Sequence, residues 1–254
     1  MANGEGDFAG KVAIVTGASR GIGRAVAELL AERGAALVVV GQDATRLADA
    51  ARAIDRGTGV EPVAGDVAAS DLATRAVEAA MQRFGRLDIV ANIAGAFPTA
   101  LLEHTDDRQF ADSIAINLAG TFNLCRAAIP VMRAGGGGAI VNMSSMAARF
   151  PTPGLSVYGA SKAGVEALTR AAAAEAAPLV RVNAVSAGPT LTETVRALMQ
   201  VDTTGATAAV TSNLPLGRLA EPREIAEVVA FLASDRAGCV TGQVFHANCG
   251  GLMA

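Results

Sequence analysis

The 254-residue chain is 51% hydrophobic and 18% charged, with 28 glycines, 4% aromatic residues and no Trp. That is enough chain to bury a substantial core and too little for two full-sized domains, so a single domain over 1–254 is expected and disorder is excluded as the main state. A net charge of −3, with the 21 Lys and Arg scattered along the chain, excludes a phosphate-backbone binder, and nucleic acid is not an expected partner.

Residues 11–16 form a short β-branched run ending in Gly17, and residues 22–33 carry apolar side chains at helical spacing up to Gly34, a C-cap residue. Strand, glycine turn and helix follow one another. Residues 35–40 read as a second buried strand, 44–56 as a helix, 60–64 as a third strand and 72–84 as a helix. The alternation continues with a strand at 87–91, a helix around 110–132 and a strand at 139–142. A long alanine-rich helix follows at about 156–177, then a strand at 180–185, a helix after Pro222 and a last strand near 243–246. Continuously apolar strands separated by helices imply a parallel sheet covered on both faces, a doubly wound α/β fold. The Ala/Thr-rich stretch 195–213 breaks this rhythm just after a strand, at the carboxyl edge where such sheets bind ligands. A mobile substrate lid over about 190–213 is expected there.

Three cysteines (Cys125, Cys239, Cys249) and two histidines (His104, His246) are too dispersed for a structural zinc site or a disulfide framework. No metal is expected, and a reducing, cytoplasmic setting fits. The first ten residues contain Glu5 and Asp7 and no apolar core of a signal peptide, and the apolar run 35–40 is too short to span a bilayer, so no membrane is expected as a partner.

Chemistry enters at Thr16-Gly17-Ala18-Ser19-Arg20-Gly21-Ile22-Gly23. Glycines at a strand-to-helix turn let the backbone approach a pyrophosphate, whose charge is stabilised by the free N–H groups and dipole at the helix N-terminus. The alternative is a tight turn without a ligand. The spacing Gly-x-x-x-Gly-x-Gly resembles that of the short-chain dehydrogenase/reductase family, and further matches follow in the family's order over nearly the whole chain. They are Asp66, Asn92-Ile93-Ala94-Gly95, Asn117 within Ile116-Asn117-Leu118-Ala119-Gly120, Ser144-Ser145, and Tyr158-Gly159-Ala160-Ser161-Lys162. The resemblance, to 3-oxoacyl-ACP reductase-like members in particular, implies a Rossmann-like three-layer α/β/α sandwich with a seven-stranded parallel sheet. It also implies an NAD(P)(H)-dependent oxidoreductase, acting on CH–OH donors or the corresponding carbonyls, and a homotetramer with a four-helix interface built from the helices after Asp106 and Ser156.

Tyr158 and Lys162 stand at i and i+4, so on a helix both side chains leave one face within mutual reach. A phenol with its ordinary pKa of about 10 is a poor base near neutrality, and a nearby ammonium together with an oxidised nicotinamide ring would lower that value. Tyr158 can then exchange a proton with the substrate oxygen; it is the only Tyr in the chain. Either Ser144 or Ser145 could be the strand-end hydroxyl that stabilises negative charge on that oxygen, and the family's spacing selects Ser145. By resemblance, Asn117 holds a water that links Lys162 to solvent. The resemblance also implies cofactor contacts from Gly17, Ser19, Arg20, Gly21, Ile22 and Gly23 in the turn, from Gln42, Asp66, Val67, Asn92, Ala94 and Gly95, from Tyr158 and Lys162, and from Gly188, Thr190 and Thr192. Three departures stand out: Ala187 at a usual proline, Ile93 at a usual second Asn, and Asn248-Cys249 where Asp-Gly is common.

The 2′ position of the dinucleotide is read after the second strand, here Gly41-Gln42-Asp43. Gly41 takes the place of the Asp usual in NAD-type members and Gln42 that of the Arg of many NADP-type members. Arg20 matches a residue that commonly reaches a 2′-phosphate, whereas an inward-pointing Asp43 would repel one. The balance favours NADP(H), with NAD(H) as the alternative. Phe97, Ala147, Phe150 and Leu155 are the expected substrate-pocket wall for a small-molecule ketone or alcohol on an apolar skeleton, with Arg149 available to an anionic group or to solvent. Two other readings compete: a catalytically silent nucleotide-binding regulator or scaffold of the same fold, and a sugar-nucleotide epimerase or dehydratase. The latter normally needs a larger C-terminal substrate domain.

Overall fold

The computed structural model describes residues 6–203 and 205–253; residues 1–5, Thr204 of the expected lid, and Ala254 lie outside the described residues. In chain order the first half comprises β1 (Val12–Thr16), α1 (Gly21–Glu32), β2 (Ala36–Gly41), α2 (Ala44–Ile54), β3 (Val60–Ala64), α3 (Ser70–Phe84) and β4 (Ile89–Asn92). The second comprises α4 (Asp107–Ser113), α5 (Gly120–Ala134), β5 (Gly138–Ser145), α6 (Ser156–Ala176), β6 (Val180–Ala187), α7 (Glu193–Val201), α8 (Ala206–Ser212), α9 (Pro222–Ala233) and β7 (Val244–Ala247).

Among the described residues seven strands form one sheet in the order β3-β2-β1-β4-β5-β6-β7, and each neighbouring pair is parallel. Strands β1 and β2 are buried on both faces, which is why their sequences are continuously apolar. Edge strand β3 carries Pro62, which a central strand would reject because proline has no ladder donor. One core, with Leu29, Leu30, Leu47, Ile54, Ile225 and Leu232, lies between the sheet and α1, α2 and α9. The other, with Leu72, Val77, Leu124, Met132 and Ala173, lies under α3, α5 and α6. The chain winds from β1 outward through β2 to β3 and then crosses back to β4 on the other side of β1, so a crevice opens at the carboxyl ends of β1 and β4.

Three elements depart from the sequence expectation. The helix expected around 110–132 begins at Asp107, behind an Asp106–Gln109 capping box, and is interrupted by one π-helical turn, Ile114–Ala119. An inserted residue of this kind leaves the apolar periodicity readable on both sides, so the pattern hides it. Strand β5 runs to Ser145 rather than 142 because its polar residues are buried and paired: Asn142 donates to the Thr169 hydroxyl at 2.9 Å. The 195–213 stretch is built of α7 and α8, and Leu198, Met199 and Val201 of α7 are exposed. The helical stretch Asp107–Ala134 is long and apolar enough to cross a membrane, yet its Leu124, Ala128 and Met132 are buried against the sheet.

Candidate active site

The glycine turn is shaped by contacts that tolerate no side chain. A Cβ on Gly23 would lie 2.3 Å from the Gly17 carbonyl oxygen, and Gly17 and Gly21 have φ of +69° and +57°. The Thr16 hydroxyl accepts from the Ile93 and Ala94 N–H groups at 2.9 and 3.0 Å, tying this turn to the end of β4. Helix α1 starts without a side-chain cap from Arg20, and the Gly21 N–H donates instead to Glu193 Oε2 of α7 at 3.0 Å. Thr192 packs over Gly21, while its hydroxyl caps α7 by accepting from the Val195 N–H. A carboxylate seated on the N-terminus of α1 shows that this turn takes an oxyanion, so the residues present fit a dinucleotide pyrophosphate.

Around the expected 2′ site, the space beside Gly41 is narrow: a Cβ there would meet Leu47 at 3.1 Å and the Ser19 hydroxyl at 3.5 Å. Asp43 turns toward α2, where it accepts from the Arg46 N–H at 2.9 Å and pairs with its guanidinium at 3.5 Å. Gln42 and Arg20 are exposed. Asp66 accepts from the Ala68 N–H, and Val67 packs beside Gly120. Val67 also lines a cavity with Thr16, Asn92 and Ala94, to which Leu72 and Thr121 contribute. Those last two escaped the sequence reading, since both sit at ordinary helical core positions.

Asn92 is anchored in the core, where its Nδ2 donates to Asn142 Oδ1 at 2.9 Å. Gly95 is held by proximity. A Cβ there would come within 2.8 Å of Asn117 Oδ1 and 3.3 Å of Lys162 Nζ. Asn117 lies in the π turn and clamps the loop after β4, accepting from the Ala96 N–H at 2.9 Å and donating to the Ala96 carbonyl at 3.0 Å. It also reaches the Ser161 hydroxyl, which donates to the Tyr158 carbonyl at 2.7 Å. The departure Ile93 is a core residue, Ala187 ends β6, and Cys249 has φ of +53°, a left-handed conformation that suits the glycine common at such a place.

Tyr158, Lys162 and Ser145 converge where α6 crosses the end of β5. Lys162 is 2% exposed, donates to the Met143 carbonyl at 2.9 Å, and lies 5.8 Å from the centre of the Tyr158 ring. Burial holds its pKa down at about 8. Burial also pushes the Tyr158 phenol above its ordinary value, with the Ser145 hydroxyl pulling it down. The lowered phenol expected from the sequence is therefore not a property of the chain alone, because desolvation outweighs its neighbours. Ser144 does not compete for the strand-end role: its hydroxyl points into α6.

On the rim, the Phe97 ring stands edge-on to Tyr158 at 4.8 Å and is 62% exposed. The Ala100 N–H donates to the Gly154 carbonyl at 3.0 Å, bringing the loop after Phe97 to the segment that holds Phe150 and Leu155. Phe150 is exposed, Leu155 half-buried, and the Ala147 N–H donates to the Ser145 hydroxyl at 3.2 Å. Arg149 remains exposed on one side, while its Nε donates to Glu166 Oε2 at 2.9 Å. Gly188 passes so near Asn248 that a Cβ would lie 2.6 Å from its Cα, and the Thr190 hydroxyl donates to the Gly188 carbonyl.

A family model described as enoyl-(acyl carrier protein) reductase matches residues 17–251. The chain is 43% identical over 246 residues to a cis-4-hydroxycyclohexanecarboxylate dehydrogenase of Sinomonas cyclohexanicum, covering 96% of this chain and 97% of that one. It is 37% identical over 246 residues to a 3-oxoacyl-(acyl-carrier-protein) reductase of Thermotoga maritima, covering 96% and 98%. A solved structure of a short chain dehydrogenase/reductase family protein superposes with a TM-score of 0.85 at 41% identity, over 96% of this chain and 98% of that one. The chain therefore belongs to the short-chain dehydrogenase/reductase family and is a nicotinamide-dependent oxidoreductase of the carbonyl/alcohol type.

Proposed function

We propose that Tyr158 is the acid and base of this oxidoreductase, giving a proton to a substrate carbonyl oxygen or taking one from a secondary alcohol. A nicotinamide bound in the crevice would supply or accept the hydride at the adjacent carbon. Ser145 orients the same oxygen and stabilises the charge that develops on it. Lys162, fixed by the Met143 carbonyl, grips the nicotinamide ribose and lowers the phenol once a cofactor is in place. Asn117 holds the loop at Ala96 and keeps a water path open to Lys162. The single observation that carries this reading is the convergence of Lys162, Asn117 and Gly95 beside Tyr158 at the end of β5, too tight for even a methyl group on Gly95.

The cofactor is read as NADP(H). In support, Asp43 caps α2 and pairs with Arg46, while Arg20 is exposed and has no carboxylate partner among the described residues. The substrate is read as a ketone or secondary alcohol on an apolar skeleton, of the kind named for the hydroxycyclohexanecarboxylate and 3-oxoacyl relatives, because Phe97 stands exposed against Tyr158 and Phe150 is exposed on the segment that follows Ser145. The chain is taken to work as a cytoplasmic homotetramer, with α7 and α8 as the substrate lid of one domain. Tyr158→Phe tests the reading: turnover should fall by about 10²–10⁴-fold with a far smaller loss of cofactor affinity, and an active variant overturns the mechanism in favour of a different proton donor.

A further inference from the structure

Positions 158, 162 and 166 lie at i, i+4 and i+8 of α6 and so share the face turned to the end of β5. The first two belong to the proposed chemistry. The third, Glu166, does not, yet it is 3% exposed and both its carboxylate oxygens are occupied. Oε1 accepts from the Ser144 hydroxyl at 3.1 Å and Oε2 from Arg149 Nε at 2.9 Å. A buried carboxylate is expensive unless fully paired, and this one is paired with residues that come from a single segment of chain.

Those partners flank Ser145. Ser144 precedes it; Arg149 follows it, beyond the single 3₁₀ turn Met146–Ala148 that the Ser145 hydroxyl itself caps. The segment between them is pressed on α6 so closely that a Cβ on Gly159 would lie 2.6 Å from the Ala147 carbonyl oxygen. Glu166 thus holds both ends of the loop bearing Ser145 against the helix bearing Tyr158 and Lys162. We propose that Glu166, with Arg149 as its counter-ion, is a positioning residue that sets the Ser145 hydroxyl against the Tyr158 hydroxyl. The same pair withdraws Arg149 from duty as a receptor for an anionic substrate group. This inference rests on the assignment of Tyr158 and Ser145 above.

The Ser145 hydroxyl lowers the Tyr158 phenol, so loss of alignment has a readout separate from turnover. Tyr158 is the only Tyr and there is no Trp, so absorbance at 295 nm titrates this phenol alone. Glu166→Gln keeps the size and an acceptor for Ser144 but releases Arg149. In the presence of saturating NADP⁺ or NAD⁺, its phenol midpoint should move up relative to wild type. The rate constant kcat for 4-oxocyclohexanecarboxylate or a 3-oxoacyl thioester should fall at least tenfold, with a smaller change in KM and in cofactor affinity. Glu166→Asp should recover part of both. A midpoint and kcat equal to wild type in Glu166→Gln overturn the proposal. A variant with a lowered melting temperature but an unmoved midpoint makes Glu166 purely structural and overturns it too. If Glu166→Gln does not fold, Arg149→Gln carries the same test with the same two outcomes. Turnover surviving in Tyr158→Phe sinks the underlying assignment instead, so the two failures are distinguishable.

Discussion

At the residue scale, the site depends on a lysine that the fold keeps out of water. Lys162 is enclosed with one carbonyl partner, and its pKa falls from an ordinary 10.5 to about 8. In the unfolded chain the amine binds its proton up to about pH 10.5, whereas in the folded chain it releases it near pH 8. Between those values the unfolded state holds more protons, so this group makes stability rise with pH across that window and leaves it flat on either side. The melting temperature of the cofactor-free protein, minus that of Lys162→Met, should therefore climb between pH 8 and 10.5. A difference that falls there would mean that the folded state favours the ammonium. Helical spacing puts Tyr158 and Lys162 on one face but carries no sign of their desolvation, which comes from β5 and the loop at Gly95. Glu166 was invisible for the same reason: a Glu on a long helix reads as surface until Ser144 and Arg149 are seen to close on it.

At the element scale, α7 stands over the glycine turn and contributes Glu193 to the first N–H of α1. That carboxylate sits where the resemblance places a pyrophosphate, and two anions cannot share one helix N-terminus. On the proposed reading, cofactor binding displaces the Glu193 carboxylate from the Gly21 N–H. Glu193→Gln removes the competing charge and should tighten the binding of NADPH or NADH several-fold in an equilibrium titration; weaker binding would show that Glu193 supports the bound state. The break in helical rhythm was readable in the sequence, but the helices at Glu193–Val201 and Ala206–Ser212 were not, because each is short and the stretch is rich in Ala and Thr, which mark no clear boundary. The π turn at Asn117 was equally hidden, although the Asn itself was legible as a motif residue.

At the scale of the whole molecule, the parallel sheet followed from composition and spacing alone: apolar strands of four to eight residues alternating with helices leave few other folds. Its strand order brings the glycine turn, the loop after β4, the end of β5 and the head of α6 to one edge, although they are spread along the chain from Gly17 to Tyr158. What the sequence could not show is how closely those parts approach one another, since that is set by the glycines at 17, 23, 95 and 159 and by polar side chains buried between layers. On the proposed mechanism this edge converts an unusually high phenol into a working acid and base when the cofactor arrives. The 295 nm titration of the lone Tyr158, with and without saturating oxidised cofactor, reads that conversion at the group itself. Without cofactor the midpoint should lie above the ordinary value near 10, as burial dictates; with NADP⁺ or NAD⁺ bound it should drop by at least a unit. A midpoint unchanged by bound cofactor would mean that no such conversion takes place and that Tyr158 is not the proton-transfer group.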